Sequence, residues 1–145
     1  MDNINILKMQ ECDIHDAILL EATHSIHILN EEILKDDLKK ENYHYIVAKS
    51  NDVIIGYAGI SYVIDSADLI SIVVGKQYTN MGVASLLISN LIQFCTENNI
   101  TKILLEVRES NTPAQKLYEK FGFKKISIRK KYYNNEDAYI YEKVI

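Results

Sequence analysis

A single uninterrupted helical stripe stands between two short strand-forming runs in the middle of this chain. After Gly82, apolar residues fall at Val83, Leu86, Leu87, Leu91, Ile92 and Cys95, the spacing of one helix face, and Asn98-Asn99 closes the run. Leu69–Val74 precedes it and Ile103–Val107 follows, both rich in branched residues. A strand, a helix and a strand in that order need a crossover that leaves the two strands parallel. Upstream the pattern differs. Tyr43–Ser50 and Val53–Val63 are joined by Asn51-Asp52, and a second turn at Asp65-Ser66 leads into Leu69–Val74, which predicts an antiparallel meander. The expected architecture is α/β (an α+β mixed sheet), mostly antiparallel with one parallel pair inside it.

The remaining segments fill out this plan. A strand over Ile4–Met9 precedes a helix marked by Ile14, Ala17, Ile18, Glu21 and Ala22. A second helix carries Ile33, Leu34 and Leu38, with Asn30 as its cap and Glu31 and Glu32 in its first turn. Thr112-Pro113-Ala114-Gln115 predicts a helix start, with Thr112 as N-cap, Pro113 at the first position and Gln115 closing a capping box. That helix ends near Phe121, with Gly122 as the C′ residue. Phe123–Arg129 and Ala138–Val144 are the final strands, around a polar turn at Asn134-Asn135.

With 145 residues, one proline and five glycines, the chain reads as a single domain over 1–145. A net charge of -4 argues against broad nucleic-acid binding and fits a cationic partner. Cys12 and Cys95 form no metal or redox motif, and Cys95 falls in the apolar stripe. The acidic, polar start is unlike a signal peptide, and no apolar run approaches the roughly 18 residues of a membrane span. The expected setting is cytoplasmic, with no membrane partner; monomer and homodimer both stay open.

Three features carry chemistry. The junction running to Asn80-Met81-Gly82-Val83-Ala84-Ser85 puts backbone N–H groups and the positive end of a helix dipole at one point, a place for phosphate. Alone, it is equally an ordinary turn before a helix. Glu106 lies in an otherwise apolar strand, where a carboxylate is costly unless paired or functional. It either bridges to Arg108, two residues along the same face, or is a desolvated general base of raised pKa. Asn111 precedes the capped helix bearing Tyr118, whose phenol either packs with Leu117, Phe121 and Phe123 or donates a proton.

Leu105-Glu106-Val107-Arg108-Glu109-Ser110-Asn111, followed by Leu117-Tyr118-Glu119-Lys120-Phe121-Gly122-Phe123, resembles the signature of the GNAT acetyltransferases. More narrowly it is similar to the RimI type, the ribosomal-protein-alanine N-acetyltransferases, as is Ile128-Arg129-Lys130-Lys131-Tyr132-Tyr133 with Glu136-Asp137-Ala138. The match runs from about Gly56 to Ile145. The resemblance implies the GNAT fold, acetyl-CoA as cosubstrate and transfer to a protein N-terminal amine, such as that of a ribosomal protein. It implies no metal and no covalent enzyme intermediate. Ile72, Val73 and Val74 would then pair with the pantetheine arm, and amides of Asn80, Met81, Gly82, Val83, Ala84 and Ser85 would hold the pyrophosphate. Asn111 would touch the cofactor arm, and a backbone N–H near Val74 would meet the oxyanion. Glu106 matches the family's base and Tyr118 the acid that protonates the departing thiolate.

The sequence also departs from that pattern. Thr79 holds the first position of the phosphate loop, and Asn80 stands where a basic residue is usual. Ser25-Ile26-His27-Ile28-Leu29-Asn30 replaces the Pro-Trp-Ser element of the RimI type, which leaves the acceptor open. A small amine, a lysine or an RNA acceptor and a non-enzymatic acyl-CoA-binding module are the other readings; the acidic balance disfavours RNA. His24 and His27 share a helix face, and with His15 and His44 they read as solvated or packed histidines rather than a metal site. The basic run Lys124–Lys131 reads as an exposed strand edge or the rim of the acceptor site.

Overall fold

The structure, a computed structural model, describes residues 3–21, 30–133 and 136–145. Its strands are β1 (Ile4–Lys8), β2 (Tyr43–Ser50), β3 (Val53–Val63), β4 (Ser66–Val74), β5 (Lys102–Arg108), β6 (Lys124–Tyr133) and β7 (Glu136–Val144). The helices are α1 (Ile14–Glu21), α2 (Glu31–Leu38), α3 (Val83–Glu97) and α4 (Thr112–Lys120). All seven strands form one sheet in the order β1-β2-β3-β4-β5-β7-β6, and β4 with β5 is its parallel pair. The mixed sheet and the element order follow the sequence reading.

Local chemistry explains most boundaries. Asn51 and Asp52 both take positive φ, 51° and 66°, as a two-residue hairpin turn between β2 and β3 requires. The second turn sits one residue earlier than expected. Ile64 (φ 57°) and Asp65 make it, and Ser66 already belongs to β4. A branched residue in that conformation runs against propensity, so the ladder between β3 and β4, which pairs Val63 with Ser66, sets the turn. Asn30 caps α2, its Oδ1 accepting from Ile33 N at 2.8 Å. Gly122 follows α4 at φ 90°.

The helices divide between the two faces. Ile14, Ala17 and Leu20 of α1 and Leu34 of α2 bury against Tyr45, Val47, Ile54, Tyr57 and Val73. On the opposite face Val83, Leu87, Ile88, Leu91 and Cys95 of α3, with Tyr118 of α4, bury against Ala58, Ile60, Leu105, Val107 and Tyr141. Leu86, expected in the α3 stripe, is 42% exposed, and Ile88 takes the buried place. At 100° per residue Ile88 lies beside Leu91 and Cys95, so the stripe drifts toward it along the helix. The Tyr45 hydroxyl donates to the buried Asp37 Oδ2 at 2.9 Å, tying α2 to the sheet.

Candidate active site

The parallel pair opens partway along. β4 and β5 pair only through Ser66, Ala67 and Asp68 with Lys102, Ile103 and Leu104. Both strands continue, β4 against β3 as far as Val74 and Gly56, β5 against β7 as far as Arg108 and Ala138. Beyond Asp68 and Leu104 they part in a V. Thr101 N, which donates to Asp65 O at 2.8 Å, fastens the closed end. Opposite β3, Ile60 pairs with Leu69 and Gly59 with Ser71, so Ile70 is the extra residue of a bulge that bends β4 away. An extended polar ligand laid in such a gap meets backbone donors and acceptors that no ladder between the two strands uses. Ile72, Val73 and Val74 lie on its open arm.

Glu106 and Tyr118 approach β5 from opposite sides. Ile103, Leu105 and Val107 face α3 and α4, so the alternation of the strand turns Glu106 toward the α1–α2 face. Tyr118 comes from α4 on the other face. It is 5% exposed, with ring centroids 5.7 Å from Phe123 and 6.4 Å from Tyr141. Burial pushes its phenol up to about 12, so it carries its proton at neutral pH. None of the hydrogen bonds among the described residues uses its hydroxyl. The two readings of Tyr118 therefore coexist: the ring packs, and among the described residues the hydroxyl is uncommitted.

Glu106 is paired, but not with the residue that its strand spacing pointed to. Its side chain is 31% exposed, not enclosed, and its Oε1 lies 3.1 Å from Arg129 Nη2 on β6. The expected bridge to Arg108 is not made. Arg108 shares the face of Glu106 but pairs with Glu136 Oε2 at 3.4 Å on the neighbouring strand. Glu136 Oε1 also accepts from Ser110 N at 2.7 Å. The Ser110 contacts, then Arg108, hold the Glu136 carboxyl below its ordinary range. These contacts brace the β5–α4 connection.

That connection differs in one detail from the sequence reading. The N-cap of α4 is Asn111 rather than Thr112, its Oδ1 accepting from Ala114 N at 3.3 Å. Gln115 closes no capping box. Its Nε2 donates back to Arg108 O at 3.0 Å and Glu109 O at 2.9 Å. Two adjacent residues could cap, and the hold of Gln115 on the Arg108 and Glu109 carbonyls draws the helix start back by one.

At the start of α3 no side chain caps the helix, and its first turn holds no acid. The amides of Val83, Ala84 and Ser85 therefore lack the intrahelical partners that later amides have. Asn80 (φ 67°) and Gly82 (φ 78°) are both left-handed, and Thr79 Oγ1 donates to Lys76 O at 3.1 Å, folding the loop on itself. Met81 is 37% exposed. A Cβ on Gly82 would meet nothing within 4 Å, so the glycine answers to backbone conformation, and the space above it is open. This is the geometry that accepts an anion.

Other candidates fall away from the gap. Cys95 is buried, which pushes its thiol up to about 11, and it packs as expected. Cys12 is exposed in the turn before α1. His15 pairs with Glu31 at 3.1 Å. His44 stacks on Phe94 at 3.7 Å, and burial, then Lys8, lowers it to about 4. Among the described residues no three metal-ligating side chains converge, and no helix is long and apolar enough to cross a membrane. The basic run lies on β6, the edge strand, where Lys130 pairs with Asp137 and Lys125 stands over the Tyr139 ring. His24, His27 and the segment 25–29 lie outside the described residues, as do the turn at Asn134-Asn135 and the side chains of Tyr132 and Tyr133.

Comparison with known proteins agrees with this geometry. The profile of the acetyltransferase (GNAT) family matches residues 12–123. A [ribosomal protein bS18]-alanine N-acetyltransferase of Haemophilus influenzae is 34% identical, covering 88% of this chain and 86% of that one. An N-alpha-acetyltransferase of Saccharolobus solfataricus is 33% identical over 72% of this chain and 71% of its own. The crystal structure of the ribosomal-protein-S18-alanine N-acetyltransferase of Escherichia coli superposes with a TM-score of 0.92 at 28% identity, covering 99% of this chain and 94% of that one.

Proposed function

This chain belongs to the GNAT acetyltransferase family, an acetyl-CoA-dependent enzyme family, and on that premise we propose that it acetylates the α-amine of a protein N-terminus. Acetyl-CoA supplies an activated acyl group as a thioester. The residues present suit it. A V-shaped gap with backbone edges fits a pantetheine arm along Ile72, Val73 and Val74. The uncapped start of α3, from Asn80 to Ser85, fits a pyrophosphate without needing a basic side chain at position 80. Asn111, at the head of α4, would border the arm.

The observation that carries the mechanism is the placing of a carboxylate and a protonated phenol on opposite sides of β5. An amine arriving from the α1–α2 face gives its proton, by way of a water, to Glu106 as its nitrogen bonds the acyl carbon. The carbon–sulfur bond breaks toward the α3–α4 face, where Tyr118 hands its proton to the sulfur. The Val74 amide is the donor we assign to the carbonyl oxygen. No residue forms a covalent bond to the acyl group. The reading of the acceptor as a protein N-terminus draws its support from the bS18-alanine and N-alpha-acetyltransferase relatives.

The test is acetyl-CoA turnover against N-terminal peptides beginning with small residues, matched peptides blocked at the N-terminus but carrying lysine, and free polyamines. Acetylation of the unblocked peptides at the α-amine is expected. Turnover confined to polyamines or to lysine side chains would overturn this acceptor.

A further inference from the structure

One polar atom near the gap has no use in this account. Ser71 is 4% exposed, and its Oγ is buried with no hydrogen-bond partner among the described residues. A buried hydroxyl left unsatisfied costs stability and needs a reason. Its place in the sheet supplies one. Ser71 lies directly opposite Gly59, between the pairs Tyr57–Val73 and Ile60–Leu69. Tyr57 and Val73 bury on the α1–α2 face, so the two-residue alternation puts Ser71 on that face as well. Glu106 occupies the same face of β5.

The register also brings the two residues level. Asp68 pairs with Leu104 as the last rung of the parallel ladder. Two residues further on, β5 reaches Glu106. On β4 the bulge inserts Ile70, so the residue at that height is Ser71. A hydroxyl and a carboxylate thus lie level on the two arms of the V, on the α1–α2 face, with Oε1 of the carboxylate on Arg129. Ser71 turns about a single side-chain bond among staggered rotamers.

We propose that Ser71 is a positioning residue for deprotonation of the acceptor: its hydroxyl, with the Glu106 carboxylate, holds the water through which the amine's proton leaves. The ammonium gives a proton to that water, the water passes one to Glu106, and Ser71 accepts a hydrogen bond and keeps its own proton. This rests on Glu106 being the base, as proposed above.

The experiment uses the full chain with Ser71→Ala, Ser71→Cys, Ser71→Thr and Glu106→Gln. For each, kcat and KM toward acetyl-CoA and an acetylatable N-terminal peptide are read from about pH 6 to pH 9, with thermal unfolding alongside. Ser71→Ala should lower kcat about tenfold near neutrality, the worth of one such hydrogen bond. The deficit should shrink above about pH 8, where the α-amine is already neutral. KM for acetyl-CoA should not move, and Tm should hold or rise, because the hydroxyl has no partner among the described residues to lose. Ser71→Cys, similar in volume but a weak hydrogen-bonder, should behave like alanine, and Ser71→Thr should recover activity. A wild-type profile in Ser71→Ala beside an impaired Glu106→Gln overturns the role of Ser71 alone. So does an equal deficit at every pH. An unimpaired Glu106→Gln removes the base, and the proposal with it.

Discussion

Tyr118→Phe removes one oxygen from a residue asked to do two things, and the two can be read separately. The ring contacts to Phe123 and Tyr141 survive the change. Among the described residues no hydrogen bond to the hydroxyl is lost, so stability near pH 7 should change by less than about 0.5 kcal/mol. The alkaline behaviour should differ. Burial raises the phenol from 10.0 to about 12. The folded state therefore holds this proton more tightly than the unfolded chain does. That stabilisation is complete below pH 10 and is lost as pH climbs through 12. Two pH units correspond to about 3 kcal/mol, so urea midpoints of wild type and Tyr118→Phe should diverge between pH 10 and 12, with the variant falling less. Tyr141 and Tyr45, also shifted upward, contribute equally to both proteins and cancel in the difference. For catalysis, kcat should drop about 100-fold or more, since the thiolate must leave without its acid, and the Kd for CoA should stay put. Superimposable alkaline curves would refute the burial argument. An unchanged kcat would refute the acid, whatever the curves do.

Glu106→Gln should lower kcat about 100-fold at neutral pH, the variant gaining on wild type as the α-amine deprotonates near pH 8; parallel pH profiles would count against a base. Gly82→Val places a branched side chain at φ 78°. Strain of about 1–2 kcal/mol should appear as a roughly tenfold rise in the Kd for CoA by calorimetry, and an unaltered Kd would disconnect this loop from the cofactor. Tyr45→Phe strips a buried hydrogen bond from Asp37 and should cost about 2 kcal/mol in urea unfolding. Asn111→Ala should cost about 1 kcal/mol for the lost cap of α4, and a neutral result would mean the first turn is held by Gln115 instead.

Where a boundary depends on a residue's own backbone preference, the sequence was enough to find it. Asn51-Asp52, Asn30 and Gly122 each act through a local turn or cap, and each sits where the pattern put it. The misses are of another kind. Asn111 and Thr112 are both good caps, and the choice between them is made by Gln115 reaching the carbonyls of Arg108 and Glu109. Leu86 and Ile88 are equally apolar, and the drift of the stripe toward Leu91 and Cys95 along α3 decides which is covered. Ile64 takes a turn position that its own propensity disfavours because the flanking ladder leaves no other residue there.

The site was legible in its residue types and not in its geometry, for a reason that lies in register. Spacing along one strand says that Glu106 and Arg108 share a face, and they do. It cannot say which strand supplies the partner of each, and the partners come from β6 and β7, more than twenty residues away. Bulges set the register on either side of β5. The one at Ile126 shifts β6 against β7 upstream of Arg129, and the one at Ile70 bends β4 out of its ladder and brings Ser71 level with Glu106. A bulge costs one residue and leaves no mark in hydrophobic periodicity beyond a single broken alternation. Yet if β4 alternated regularly through Ile70, Ser71 would turn to the α3–α4 face, away from the side of Glu106. The division of labour across β5, base to one side and acid to the other, needs no such adjustment. It follows from a strand's alternation and from a crossover helix that must return on the opposite face from α1 and α2.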